Sequence, residues 1–319
     1  AKEKAEIFVR ENCPGAKAFG TYQEVLDDPE VQVVYVPLPT SMKHEWVLKA
    51  AKAKKHVLCE KPLAGTAHEA QEMIEACAKA GVQFMDNTMF MHHDRTHAIA
   101  KTLGDAEVFG GARQITSCFT IPFGNDPEWA RSNIRMSAAV EPLGCMGDLG
   151  WYNIRLTQLG FDYAEPEAVS CDFLEKTAEG VPTYCVATMK YSGGRIGRFD
   201  CSFLHPLRQW GEVVGLKSTI SFPDFVACHE KEKASYKVSA GTIGAKAVTF
   251  PDEVSQTPSF SGPGCVQHAR LIEKMSEIVA GGELDAFWPK VSLQTQMIMM
   301  ALCASAKKGG AWVNPAEGI

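Results

Sequence analysis

The sequence predicts an α/β protein: a doubly wound parallel-sheet domain over residues 1–103, then an α+β domain over residues 104–319 with a large, mostly antiparallel open sheet. Two observations carry this reading. Across the first hundred residues, short apolar runs alternate with helical stretches of roughly ten to fourteen residues, the pattern of right-handed βαβ crossovers. Beyond Gly104 the texture changes to long alternating runs joined by turn signals such as Ser192-Gly193-Gly194, the pattern of antiparallel pairing.

In order, Lys2–Glu11 alternates charge and alanine as an amphipathic helix does, and Tyr22–Leu26 begins a short helix. The apolar run Val33–Leu38 reads as a buried strand. Ser41–Lys54, rich in alanine and lysine, reads as a helix capped by Thr40 or Ser41. His56–Glu60 is a second strand, Ala67–Ala80 a helix stopped by Gly81, and Val82–Met85 a third strand. After Gly104 come a strand over Ala112–Phe119, a loop rich in proline, glycine and asparagine, and a helix over Cys145–Gln158. The strands Ala168–Phe173, Tyr184–Tyr191, Arg195–Phe203, Gln209–Val214 and Ser218–Phe222 follow. The charged run His229–Lys237 reads as a solvated loop. Two helices, Cys265–Ala280 and Val291–Lys308, close the chain, the last packing back toward the first domain. Phe199, Cys201, Phe203 and Trp210 are candidates for an uncovered apolar sheet face. That predicts a homo-oligomer through the second sheet, or a subunit of a larger complex, burying more than about 1,000 Å².

Composition narrows the function classes. Of 319 residues, 45% are hydrophobic and 22% charged, and no run is apolar for the length a bilayer requires. Lysine and arginine number 32 against 38 acids, a formal net charge of −6, which argues against a nucleic-acid or anionic-membrane surface. Eleven cysteines are scattered from Cys13 to Cys303 with no C-x-x-C pair. Several lie in strand-like runs (Cys59, Cys118, Cys171, Cys185, Cys201), which predicts buried, reduced thiols in an intracellular compartment, cytoplasm or plastid stroma. No metal is expected. His92, His93, Asp94 and His97 are clustered, but a structural zinc site needs a fuller ligand set at suitable spacing.

Ligands of an open parallel sheet sit outside the carboxyl ends of its strands. Two such ends carry unusual residues here: Pro37-Leu38-Pro39-Thr40 with His44, and Glu60-Lys61-Pro62. A lysine just past a buried strand, with a proline fixing the next backbone unit, is held in place. Downstream, Asp148 and Tyr152 are four apart in a helical stretch and share a face. A carboxylate and a phenol so placed can anchor a substrate and move its proton; alone, each motif reads equally as a turn or a packing residue.

Together the motifs resemble the family of glucose–fructose oxidoreductase, inositol dehydrogenase and dihydrodiol dehydrogenase (Gfo/Idh/MocA), especially its plant and algal members. Further stretches share the likeness: Val34–Ser41, Lys55–Pro62, Thr88–His93, Asn133-Ile134-Arg135, Leu143–Tyr152 and Phe287–Lys290. The resemblance implies a Rossmann domain for NAD or NADP and a sheet domain for a sugar, polyol or cyclic diol. It implies Lys61 and Tyr152 as the catalytic pair, with Asp148 orienting substrate beside Asn133 and Arg135. Pro37, Leu38, Pro39, Thr40, His44, Glu60 and Lys61 would line the nicotinamide side. The Lys61 ammonium would lower the Tyr152 phenol toward working pH, so that it accepts the carbinol proton as hydride leaves.

The family opens with a strand, a glycine-rich turn and a helix that cradle the pyrophosphate. No G-x-G-x-x-G follows a strand in this sequence; Gly193–Gly197 and Ser261–Gly264 read as a hairpin turn and a loop. The expectation is therefore a truncated Rossmann-type domain, the ordered or cleaved part of a longer protein. The alternatives are a non-catalytic structural or assembly subunit descended from this family, or a sensor on the same fold.

Overall fold

The computed structural model describes residues 2–227, 234–240 and 265–316. Helix α1 (Lys2–Asn12) is exposed along its length, and α2 (Tyr22–Asp27) is capped by the Thr21 side chain. Strand β1 (Val33–Val36), helix α3 (Thr40–Lys52), strand β2 (His56–Cys59), helix α4 (Ala67–Ala80) and strand β3 (Phe84–Asp86) form the predicted crossovers. Both strand pairings are parallel, in the order β1-β2-β3. Thr66 opens α4 with a reciprocal capping box to Glu69, and Gly81 closes it at φ +69°. Strand β1 is an edge, beside an apolar hollow of about 230 Å³ lined by Tyr22, Leu26, Val34 and Trp46.

Helix α5 (Asp94–Gly104) leads into the second sheet. Its strands are β4 (Ala112–Thr120), β5 (Ala168–Lys176), β6 (Pro182–Tyr191), β7 (Arg195–Ser202), β8 (Gly211–Gly215), β9 (Thr219–Phe222) and β10 (Lys237–Ser239), in the order β10-β9-β8-β4-β7-β6-β5. All neighbours are antiparallel except β4 and β7, which run parallel. Short helix α6 (Pro127–Ser132) lies in the proline-rich loop. The stretch predicted as one helix from Cys145 is a π-helical turn over Met146–Gly150 that runs into α7 (Trp151–Gly160). Helix α8 (Cys265–Gly281) packs near the turn Met89–His92. The last helix, α9 (Phe287–Lys307), touches β5, β3 and α4 and so joins the two sheets.

Two expectations need correction. Phe199, Cys201 and Phe203 are at most 4% exposed. Phe199 and Cys201 belong to the sheet face covered by the π turn, where a Cβ on Gly150 would lie 3.4 Å from Cys201 Sγ and 3.6 Å from the Phe199 ring, and Phe203, just past β7, packs edge-on against Trp129. Alternation was read correctly but assigned to the wrong face; Trp210 alone of the four is half-buried. In His229–Lys237, residues 229–233 lie outside the described residues. Of the rest, Ala234 and Tyr236 are buried and Lys237 opens β10, so this part is not a solvated loop. Ser261–Gly264 also lies outside the described residues.

Candidate active site

Beneath the cleft, a polar network ties the end of β3 to α7 and α9. Asp86, at the end of β3, and Arg155, on α7, are wholly buried and paired, with both carboxylate oxygens 3.2 Å from Arg155 Nη2. Ser292 of α9 and Thr88 also donate to Asp86. Arg155 Nε donates to Thr295 (3.0 Å), and Trp151 Nε1 to Thr88 Oγ1 (2.7 Å). These bonds fix the start of α7, and hence Tyr152, against the end of the parallel sheet. Nothing in the spacing of the sequence predicts this network, because its partners are up to 206 positions apart.

Above it, Pro37, Leu38, Pro39, Glu60, Lys61, Arg135, Asp148 and Tyr152 line one cleft of about 420 Å³ at the carboxyl ends of β1 and β2. Lys61 Nζ donates to Asp148 Oδ1 at 2.5 Å and to the Asp148 carbonyl at 2.7 Å. Arg135 Nε reaches the other carboxylate oxygen at 2.9 Å. The same ammonium sits 4.9 Å from the Tyr152 ring centroid. Sequence reasoning missed Lys43, which is 1% exposed and holds the Lys61 turn through the Lys61 and Pro62 carbonyls (3.2 and 2.7 Å). It also missed Gly144, whose φ of +47° and close backbone neighbour leave no room for a side chain: a Cβ would lie 2.2 Å from the Pro182 carbonyl oxygen.

Three predicted residues stay out of the lining. Thr40 binds Glu141 through its amide (2.9 Å) and hydroxyl (2.5 Å), tying the start of α3 to the second domain. His44 pairs with Glu72 of α4 at 2.9 Å. Asn133 spends its carbonyl on the Arg135 amide (3.0 Å). In each case a local or cross-domain partner satisfies the side chain, which motif position alone does not reveal.

Lys61 lowers the Tyr152 phenol as expected, but burial outweighs it. At Lys61 itself, burial is the largest influence and opposes the charge, but Asp148, Tyr152 and Glu60 together outweigh it and hold the ammonium above its ordinary value. Burial likewise opposes the Asp148 carboxylate, and Lys61 and Arg135 pull it below the usual range. Burial pushes the Tyr152 phenol up to about 12; Lys61 lowers it, but Glu60 and Asp148 add to the rise. Tyr152 is therefore held as a neutral phenol. Its hydroxyl meets only the weak acceptor Met89 Sδ at 3.3 Å, and its ring is packed edge-on against Phe119. Behind the cleft, Glu60 accepts from Tyr35 and Asn87, both at 2.5 Å.

Within the histidine cluster, His92 and His93 are packing residues and His97 is exposed. His92 stacks on Trp288 at 4.5 Å, and His93 accepts the Arg95 amide at the start of α5. Burial pushes both down to about 4 from an ordinary 6.5. Both are then neutral when folded, while the unfolded chain takes up protons below about pH 6.5. The stability they contribute is complete above that pH and is lost as pH falls toward 4, with a slope approaching about 1.4 kcal/mol per pH unit for each histidine. Urea unfolding between pH 7 and pH 5 is expected to show this decline. His92→Phe, which keeps the stacked ring, should make it shallower; an unchanged slope would contradict the assignment.

The fold sets the strand ends of a parallel α/β unit against a second, mixed-sheet unit across a lysine, a carboxylate and a phenol. A family model described as the oxidoreductase family with an NAD-binding Rossmann fold matches residues 1–88. The GFO/IDH/MocA C-terminal domain matches residues 97–221. The chain belongs to the Gfo/Idh/MocA oxidoreductase family. It is 27% identical over 293 residues to an uncharacterised oxidoreductase of Rhizobium meliloti, covering 92% of this chain and 83% of that protein. It is 36% identical over 159 residues to the dTDP-3,4-didehydro-2,6-dideoxy-α-D-glucose 3-reductase of Actinomadura kijaniata (50% and 44% covered). It is 29% identical over 231 residues to the trans-1,2-dihydrobenzene-1,2-diol dehydrogenase of Xenopus laevis (70% and 65% covered). In these last two, the match spans less than two thirds of the relative. A 3-ketoreductase from Actinomadura kijaniata, solved with NADP and TDP-benzene, superposes with a TM-score of 0.80 at 24% identity over 96% of this chain and 87% of its own. That likeness is one of fold. Among the described residues no helix is long and apolar enough to cross a membrane.

Proposed function

We propose that this protein moves a hydride between a nicotinamide cofactor, NAD or NADP, and a carbinol or carbonyl carbon of a sugar, polyol or cyclic diol. The observation that carries the reading is the convergence of Lys61, Asp148 and Tyr152 in one cleft at the carboxyl ends of β1 and β2. The cleft residues fit the nicotinamide end of such a cofactor: Pro37–Pro39 and Glu60 wall the strand ends, and a fixed ammonium stands beside them. When bound, the cofactor supplies or accepts the hydride. This chain's residues manage the proton and the substrate. Asp148, held by Lys61 and Arg135, anchors a substrate hydroxyl; Tyr152 hands its phenolic proton to the oxygen of a carbonyl being reduced, or takes it back in the reverse direction. The alternative of a non-catalytic subunit finds no support, since no such role requires three chemical groups facing one cleft.

The test is a panel of keto-sugars, polyols and cyclic diols with the protein and each nicotinamide, followed by cofactor absorbance and calorimetry. Turnover with at least one class supports the reading; no turnover together with no cofactor binding sinks it. Self-association is proposed with it, through the sheet face opposite Phe199 and Cys201, where Tyr184, Val186 and Thr188 of β6 are half-buried. Ultracentrifugation giving a strict monomer at micromolar concentration would refute that part.

A further inference from the structure

A cluster outside the cleft has no part in this chemistry. Cys145 precedes the π turn, Cys185 lies on β6 and Cys201 on β7, where Cys185 and Cys201 face each other in register. All three are fully buried, and their sulfurs lie within 4.8 Å of one another, with Cys145 and Cys185 at 3.4 Å. Among the described residues this is the one group of three or more histidine, cysteine or acidic side chains that converges on a point. A metal bound to three sulfurs at about 2.3 Å sets neighbouring sulfurs about 4 Å apart, a spacing within the range seen here. A fourth sulfur is close by: Met146 Sδ and Cys201 Sγ lie 2.8 and 3.4 Å from the position a Cβ on Gly150 would take. Glycine there keeps the space between them free of side chain.

We infer that Cys145, Cys185 and Cys201, with Met146 beside them, form a binding site for a soft monovalent metal ion, copper(I). Thiolate and thioether donors select such an ion. Zinc prefers four donors drawn from cysteine, histidine and carboxylate, and this cluster supplies three of them. Binding replaces thiol protons by the metal, so loading releases protons and no oxidation step is involved. The route in is short, because Gly144, the residue before Cys145, lines the cleft. Occupancy would pin the π turn that bears Asp148 to strands β6 and β7. The inference does not depend on the proposed reaction, since the site shares none of its groups.

The test uses the reduced full chain carrying Cys13→Ser, Cys228→Ser and Cys265→Ser, titrated anaerobically with copper(I) against a competing chelator. The expected result is retention of one equivalent, proton release on loading, and an X-ray absorption spectrum with a sulfur-only shell at about 2.3 Å. Adding Cys185→Ser, a position away from the cleft, should abolish retention. No retention by the parent, equal retention by the Cys185→Ser protein, a shell containing nitrogen or oxygen, or displacement of copper by equimolar zinc would each overturn the assignment. If Cys185→Ser fails to fold, the parent's stoichiometry and coordination shell decide alone.

Discussion

Replacing Tyr152 by phenylalanine is expected to lower turnover about 10²- to 10⁴-fold, the usual worth of a positioned proton-transfer group. The ring keeps its contacts with Phe119 and Phe90, and the hydroxyl gives up only a weak bond to Met89. The fold should therefore be unchanged, and circular dichroism and the unfolding midpoint serve as controls. Lys61→Met should be similarly harmful, because it removes the ammonium that fixes Asp148 and faces the Tyr152 ring. The double variant should be little worse than either single one, since groups that serve one chemical step act as a unit and their losses do not add. Full activity in Tyr152→Phe would reduce the residue to packing.

Arg155→Met is expected to destabilise the fold by about 3–5 kcal/mol, because it strands the Asp86 carboxylate in the core. Both side chains are 0% exposed, so no solvent relieves the charge left behind, and Ser292 and Thr88 alone must satisfy it. Removing both charges, as Arg155→Met with Asp86→Leu, should recover part of the loss, because the penalty belongs to the unpaired ion more than to the missing attraction. Urea midpoints for the two singles and the double close the cycle. A single-variant loss below about 1 kcal/mol would place the pair in wetter surroundings than the structure does.

Much of this protein was legible in its sequence. Helix α4 carries its own start and stop in Thr66, Glu69 and Gly81, and β1 and β2 are apolar runs of strand length. Lys61, Asp148 and Tyr152 were legible as motifs because each sits at a strand end or on a helical face. Three kinds of information were not. Alternation along β7 shows that Phe199 and Cys201 share a face but not which face the π turn covers. Thr40, His44 and Asn133 sit in the right motifs yet are claimed by Glu141, Glu72 and a local amide. The protonation of Tyr152 depends on how its burial and three carboxylates weigh against one ammonium, a balance that only placement in space can set.

The central claim is that a hydride arrives in the cleft where Tyr152 supplies the proton. Single-turnover reduction with nicotinamide deuterated at the transferring carbon tests this most directly. The expected product carries one deuterium on the new carbinol carbon, with its formation slowed in Tyr152→Phe while cofactor binding is retained. Product lacking the label, or no binding of either nicotinamide, would contradict the account.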